Sequence, residues 1–97
     1  MNIVYSPRAT RDLEAIAAYY RAVADPKISA AIGERIGYAI GRLAEHPYSG
    51  TRVSGRSDVR SLLALRYPYR IFYRVRNDAV EILHIRHTSR RPWQGEE

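Results

Sequence analysis

The stretch from Tyr69 to His87, "YRIFYRVRNDAVEILHIRH", decides the fold. In its first half Tyr, Ile, Tyr and Val alternate with residues that are mostly arginine. This period-two pattern is typical of a strand with one apolar face and one polar face. Asn77 and Asp78 tolerate the left-handed backbone of a two-residue hairpin turn. The second half is again rich in β-forming residues. The stretch therefore predicts an antiparallel hairpin of strands Tyr69–Arg76 and Ala79–His87.

The register of this hairpin follows from its two-residue turn. Chemically matched residues then face one another, in the pairs Val75–Val80, Tyr73–Ile82, Arg74–Glu81 and Phe72–Leu83. The predicted side covered by helices carries Tyr73, Val75, Val80 and Ile82. The opposite, open side is predicted to carry Arg70, Arg74 and Ile85.

The segment before the hairpin predicts one strand and a first helix. Asn2–Tyr5 is short and β-prone, and Ser6-Pro7 follows it as a helix N-cap with Pro at the first helical position. One apolar helix face is predicted from the residues that recur at helical spacing: Leu13, Ile16, Ala17, Tyr20 and Val23.

A second helix begins at Asp25-Pro26 and is predicted to run to about Glu45, where His46-Pro47 ends it. His46–Asp58 is rich in Gly, Ser and Pro and is interpreted as a loop. A strand is predicted over Val59–Tyr67, ended by Pro68. Together these elements predict an α+β fold of order β-α-α-β-β-β, with a helical hairpin packed on one face of a small antiparallel sheet and the first strand at an edge.

The second helix carries an unusual strip of small residues beside its core face. The core face consists of Ile28, Ile32, Ile36, Ala39, Ile40 and Leu43. The strip beside it consists of Ala30, Gly33, Gly37, Gly41 and Ala44. Glycine inside a helix is destabilising, so three of them require a reason. We favour close packing of the first helix on the strip; the alternative is docking of a partner protein.

Composition limits the function classes. With 45% hydrophobic and 27% charged residues in 97 positions, the chain predicts a single globular domain over residues 1–97. It has no Cys, which excludes disulfides and thiol chemistry. We expect no signal peptide, no membrane contact and a cytoplasmic location, because no long apolar run is present.

The positive charge is concentrated in the second half. Residues 1–49 carry six Lys or Arg against five acids, a balance of +1, and residues 50–97 carry ten Arg against five acids, a balance of +5. Arginine binds carboxylate and phosphate groups in two-pronged fashion. An anionic partner is therefore expected, either nucleic acid or an acidic protein segment.

Four stretches in this order resemble the RelE/ParE superfamily of bacterial type II toxins: "VYSPRATRDLEAIAAYY", "LAEHPYSGTRV", "YRIFYRV" and "VEILHIRHTSRRPW". The P-x-x-G loop, the YRI-x-Y strand and the late His before Arg are more similar to the ParE branch than to the RelE branch. The ParE resemblance implies a poison of DNA gyrase that acts by binding. The RelE resemblance implies a ribosome-dependent mRNA endonuclease. Both resemblances imply a cognate antitoxin, one segment of which folds on binding. They also imply a toxin-antitoxin hetero-oligomer.

The RelE-like catalytic set is incomplete in this sequence. RelE-type enzymes use an arginine in the strand that begins with Tyr-Arg, and Arg70 matches it. If the protein is a nuclease, His87 and Arg90 would be its other catalytic residues. The position expected to be basic after the last strand falls near Thr88. The expected Lys pair has only Arg52 and Arg56 as substitutes, and arginine stays charged and is a poor base.

The favoured function is therefore binding without catalytic residues, metal or cofactor. His87 at a strand end is interpreted as a residue that bonds a loop, although it could titrate near neutral pH. Its position three residues after His84 places the two rings on opposite faces, which argues against a metal site. The predicted target-binding surface consists of Arg70, Arg74, His87, Arg90, Arg91 and Trp93. The predicted antitoxin-binding surface is the strip Ala30, Gly33, Gly37, Gly41 and Ala44.

Overall fold

The computed structural model describes residues 1–64 and 66–89 and contains two helices and five strands. The helices are α1, Pro7–Val23, and α2, Pro26–Glu45. The strands are β1, Asn2–Tyr5; β2, Thr51–Val53; β3, Arg56–Ala64; β4, Tyr69–Arg76; and β5, Ala79–His87. Both predicted helix starts are confirmed: the Ser6 side chain accepts from the Ala9 N–H, and that of Asp25 accepts from the Lys27 N–H.

The strands form one sheet in the order β1-β5-β4-β3-β2. β1 lies at an edge, as predicted, and pairs with β5 in parallel, so the sheet is mixed. The other neighbours pair antiparallel. Both helices pack on one face, which confirms the predicted helical hairpin on a sheet. Within the described residues, neither helix is long and apolar enough to cross a membrane.

The core lies between the helices and the sheet. From α2 it takes Ile32, Ile36, Ala39, Ile40 and Leu43, and from the sheet mainly Ala64, Tyr69, Ile71, Tyr73, Val80, Ile82 and Ile85. From the predicted α1 face, Leu13, Ile16 and Tyr20 pack against this core. Val23 is 61% exposed and Ile28 is 49% exposed, so the predicted apolar faces extend one turn too far at those helix ends.

The β4–β5 hairpin confirms its predicted turn and most of its register. Asn77 and Asp78 both have positive φ, at 54° and 58°. The pairs Val75–Val80, Arg74–Glu81 and Tyr73–Ile82 are present, whereas Phe72 lies opposite His84 and not Leu83. A β-bulge inserts Leu83 between Phe72 and Tyr73, which shifts every later pair by one residue.

The bulge corrects one face assignment. Leu83 packs with Phe72 on the side away from the helices, whereas Ile85 lies in the main core and is 3% exposed. The prediction that Ile85 lies on the open side was therefore wrong. Two neighbouring side chains of a bulge share one face, so alternation resumes out of phase.

The segment before β4 differs from its prediction in two ways. The predicted loop over His46–Asp58 contains β2 and a turn at Ser54-Gly55, where Gly55 has φ +80°. The next strand is Arg56–Ala64 and not Val59–Tyr67. It begins directly after the Ser54-Gly55 turn, and it ends early because Arg66 adopts φ 75° in the turn before β4. Leu65 lies outside the described residues.

Candidate functional site

The face of the sheet turned away from the helices, which we call the outer face, carries an arginine pair. Arg70 on β4 and Arg86 on β5 are Cα partners. Both side chains are half-buried. Arg70 Nη1 donates to Ser61 Oγ at 3.1 Å, which holds its guanidinium over β3. Within the described residues, the buried Nε of Arg86 has no hydrogen-bond partner.

The arginines at the other end of the outer face are neutralised. Arg74 Nε lies 2.6 Å from Glu81 Oε1, the predicted cross-strand pair, and Arg74 Nη1 lies 3.7 Å from Asp58 Oδ2. Arg76 Nη2 lies 3.6 Å from the same Asp58 oxygen. Arg74 is therefore a less available contact than the sequence predicted, since its charge is already compensated.

His87 does not join the arginine pair. It is the Cα partner of Tyr69, whose ring it meets edge-on at 5.5 Å between centroids. Tyr69 belongs to the core on the helix side, so His87 and Arg70 point to opposite faces. His87 Nδ1 accepts from the Ser89 N–H at 3.2 Å. This is the loop-bonding role expected of His87, and it occupies the acceptor nitrogen of the neutral ring.

A polar contact missing from the sequence prediction joins α1 to the edge of β5. Asp12 Oδ2 lies 2.6 Å from His84 Nδ1 and accepts from the Ile85 N–H at 3.0 Å. Burial raises the pKa of Asp12, but these two hydrogen bonds and the charges nearby outweigh it, and the pKa is lower than usual. Asp12 thus covers part of the β5 edge that lies beyond β1.

The two histidines point to opposite faces, as predicted. The His84 ring stacks on Phe72, on the outer side, with centroids 6.0 Å apart, whereas His87 contacts Tyr69 on the helix side. Across residues 1–64 and 66–89, no three His, Asp or Glu side chains are grouped so that they could hold a metal ion.

The glycine strip on α2 is open. A Cβ placed on Gly33, Gly37 or Gly41 would meet nothing within 4 Å. The favoured interpretation, that α1 packs closely on this strip, was therefore wrong. Between α1 and α2 lies an apolar groove of about 260 Å³, which we call the interhelical groove, lined mainly by Leu13, Ile16, Tyr20, Ile32, Gly33, Ile36 and Gly37.

The remaining predicted site residues fall elsewhere. Ala30 is exposed and Ala44 is half-buried, with its carbonyl accepting from the N-terminal amine of Met1 at 3.1 Å. Arg90, Arg91 and Trp93 lie outside the described residues. Arg86 was missed because the predicted register pairs Arg70 with Ile85, and only the bulge brings Arg86 opposite.

This geometry agrees with the comparisons to known proteins. The model of the ParE toxin of the type II toxin-antitoxin system parDE matches residues 3–92. The chain belongs to the ParE toxin family. It is thus a type II toxin-antitoxin toxin of the RelE/ParE superfamily, as the four stretches indicated. The Sinorhizobium fredii protein Y4kP is 41% identical to this ParE-family chain over 86 residues, covering 89% of this chain and 86% of Y4kP.

Solved structures show the same fold. A chain of the chromosomal ParDE toxin-antitoxin system from P. aeruginosa is 25% identical to this ParE-family toxin, with a TM-score of 0.78, covering 90% of this chain and 95% of the other. A chain of the RelBE2 complex from Mycobacterium tuberculosis is 27% identical, with a TM-score of 0.59 and coverage of 89% and 95%. An E. coli RelBE chain, 13% identical, shares the fold with a TM-score of 0.59 and coverage of 93% and 98%.

Proposed function

We propose that this ParE-family toxin poisons DNA gyrase by binding it, and that it performs no chemistry of its own. The outer face is the contact surface, with Arg70 as its centre. Arg90, Arg91 and Trp93, which lie outside the described residues, stay predicted contacts. Partly buried arginine next to aromatic side chains is typical of protein contacts that contribute much of the binding energy. The ParE branch, to which the chain belongs, favours gyrase as the partner.

The observation that carries this proposal is the separation of Arg70 from His87. A nuclease of the RelE type would need a proton acceptor beside the arginine that stabilises the phosphate. Here the two side chains lie on opposite faces of the sheet. The acceptor nitrogen of His87 is already bonded to the Ser89 N–H. The described residues thus support binding over RNA cleavage.

We further propose that a cognate antitoxin segment occupies the interhelical groove and the glycine strip. The groove is apolar and the strip lets another backbone approach α2 closely. A segment that is disordered when free could bury its apolar residues there and fold on binding. The net charge of +6 favours an acidic segment. The similar chains from P. aeruginosa and M. tuberculosis come from toxin-antitoxin systems, which supports such a partner.

The experiment that tests the proposal compares two targets side by side. Purified toxin is added to gyrase with relaxed plasmid, and separately to a translation extract with a defined mRNA. We expect inhibition of supercoiling, accumulation of cleaved plasmid and an intact mRNA. Addition of the cognate antitoxin should restore supercoiling. Codon-dependent mRNA cuts with normal supercoiling would show that the RelE-like alternative is correct. Absence of both effects would mean that this member of the toxin family has lost toxicity and only forms a structural or regulatory complex.

A further inference from the structure

We propose that Arg70 and Arg86 form a clamp for a phosphate of a nucleic-acid backbone, which we call the arginine clamp. Directly opposed residues of antiparallel strands have Cα atoms about 4.5–5.5 Å apart and point to the same face. Arg70 and Arg86 are such partners. Both side chains therefore leave neighbouring strands on the outer face; Arg70 is turned toward β3 by its bond to Ser61, and in the proposed clamp an oxyanion on this face would draw the two guanidinium groups together. The inference deepens the proposed function and rests on it for the identity of the nucleic acid, the DNA held by gyrase.

The charge of this pair is not compensated inside the described structure. Within residues 1–64 and 66–89, no carboxylate lies within ion-pair distance of Arg70 or Arg86, and the only polar side-chain partner of Arg70 is the Ser61 hydroxyl. At the other end of the same face, Arg74 and Arg76 share Asp58. Like charges directly opposite one another across a sheet are destabilising. An anion between them would remove that repulsion.

The hydrogen bonding of Arg86 also favours binding of an oxyanion. In the described part of the chain, the Nε of Arg86 is buried without a partner. A buried donor with no acceptor is destabilising, so the guanidinium would gain by turning toward an oxyanion. Arg70 is already held in place by Ser61 at 3.1 Å. Neighbouring Phe72 and Leu83 are 7% and 5% exposed, and their apolar surface strengthens charge interactions nearby.

A phosphate backbone fits better than a single carboxylate. The arginine fork matches both oxyanions. However, the clamp belongs to a chain half with a balance of +5, and Arg90 and Arg91 follow in the sequence. A nucleic-acid strand carries one negative charge about every 3.4 Å, so a single backbone can engage several arginines in a row. A lone carboxylate would leave most of that excess charge unmatched.

The test is the salt dependence of binding to a short labelled DNA duplex, followed by fluorescence anisotropy without gyrase. Each phosphate contact contributes about 0.9 to the slope of log affinity against log salt. Arg70→Gln and Arg86→Gln should each lower the magnitude of the slope by about that amount, and should weaken binding about tenfold. Arg11→Gln, at an exposed position on α1, is the charge-matched control and should leave the slope unchanged.

A conservative variant distinguishes loss of DNA contact from misfolding of the protein. Arg86→Lys keeps the charge and loses the planar fork, so it should keep the slope while weakening binding. The proposal is overturned if Arg70→Gln and Arg86→Gln behave like Arg11→Gln, or if polyglutamate binds at the clamp and the duplex does not. In the second case the clamp takes protein carboxylates.

A parallel supercoiling assay separates this inference from the proposed function. If the wild-type protein inhibits gyrase but neither arginine substitution changes duplex binding, the clamp proposal is wrong and the gyrase proposal stands. If duplex binding depends on both arginines and gyrase is unaffected, the clamp is right and gyrase poisoning is wrong.

Discussion

Alanine at the three glycines of α2 should make the free protein more stable. Gly33, Gly37 and Gly41 are helical, and an added Cβ would meet nothing within 4 Å. Each change removes backbone freedom from the unfolded chain without a steric cost in the folded one. The expected gain is about 0.5–1 kcal/mol per residue, or about 1.5–3 kcal/mol for the triple variant. For a domain of this size, each kcal/mol raises Tm by about 4–8 °C.

The assay is thermal and denaturant unfolding of the free toxin, with Gly50→Ala as the matched control. A Cβ on Gly50 would lie 2.5 Å from Tyr73 Oη and 2.8 Å from the Ser61 carbonyl oxygen, so that variant should be strongly destabilised. If the triple variant is instead less stable than wild type, α1 packs on the strip in solution and the groove is closed.

The same triple variant tests where the antitoxin binds. Three added methyl groups would keep a partner backbone from approaching α2, so the affinity for the antitoxin should fall although the toxin is more stable. Thr10→Ala, at an exposed position on α1, is the control for a change in helix propensity alone. Unchanged affinity in the triple variant would contradict docking on the strip.

Three further predictions concern the contacts that hold the sheet. Asp12→Asn should lower the free energy of unfolding by about 1–3 kcal/mol at neutral pH. Because the pKa of Asp12 is lowered in the folded protein, this stabilisation is present above a pH of about 4 and is lost as the pH falls through the folded pKa. Unfolding of both proteins at a series of pH values measures it. Burial raises the pKa of Tyr73, so the free energy of unfolding of the wild type should fall as the pH rises beyond about 10. Tyr73→Phe should show a smaller fall, although it loses the hydrogen bond that the Gly50 N–H donates to the Tyr73 hydroxyl. A double-mutant cycle on Arg74 and Glu81 should give a coupling of about 0.5–1 kcal/mol that weakens with salt, since both side chains are partly exposed; a coupling unaffected by salt would contradict this.

Local sequence patterns were sufficient for most of the fold. Alternation over Tyr69–Arg76, the Asn77-Asp78 turn and the two Pro-marked N-caps are short-range signals, and the structure confirms each of them. β2 was missed because three residues are too few to show alternation beside Gly and Ser.

The errors at the site have one main physical source. The bulge at Leu83 has no local signal, because the register without a bulge also pairs Phe72 with an apolar residue, Leu83. Its consequences reach further: it turns Ile85 inward and places Arg86 opposite Arg70. The contact of Asp12 with His84 joins residues 72 positions apart, and no periodic pattern predicts such a pair.

The central claim is that the protein acts by binding gyrase through its outer face, and that His87 is not a general base. The most direct measurement is the effect of a His87→Gln variant, folded and competent to bind antitoxin, on gyrase supercoiling and on mRNA integrity. We predict that His87→Gln inhibits gyrase as the wild-type protein does, and that neither protein cuts the mRNA. Cleavage of the mRNA by wild type and its loss in His87→Gln would contradict the claim and make the protein a nuclease.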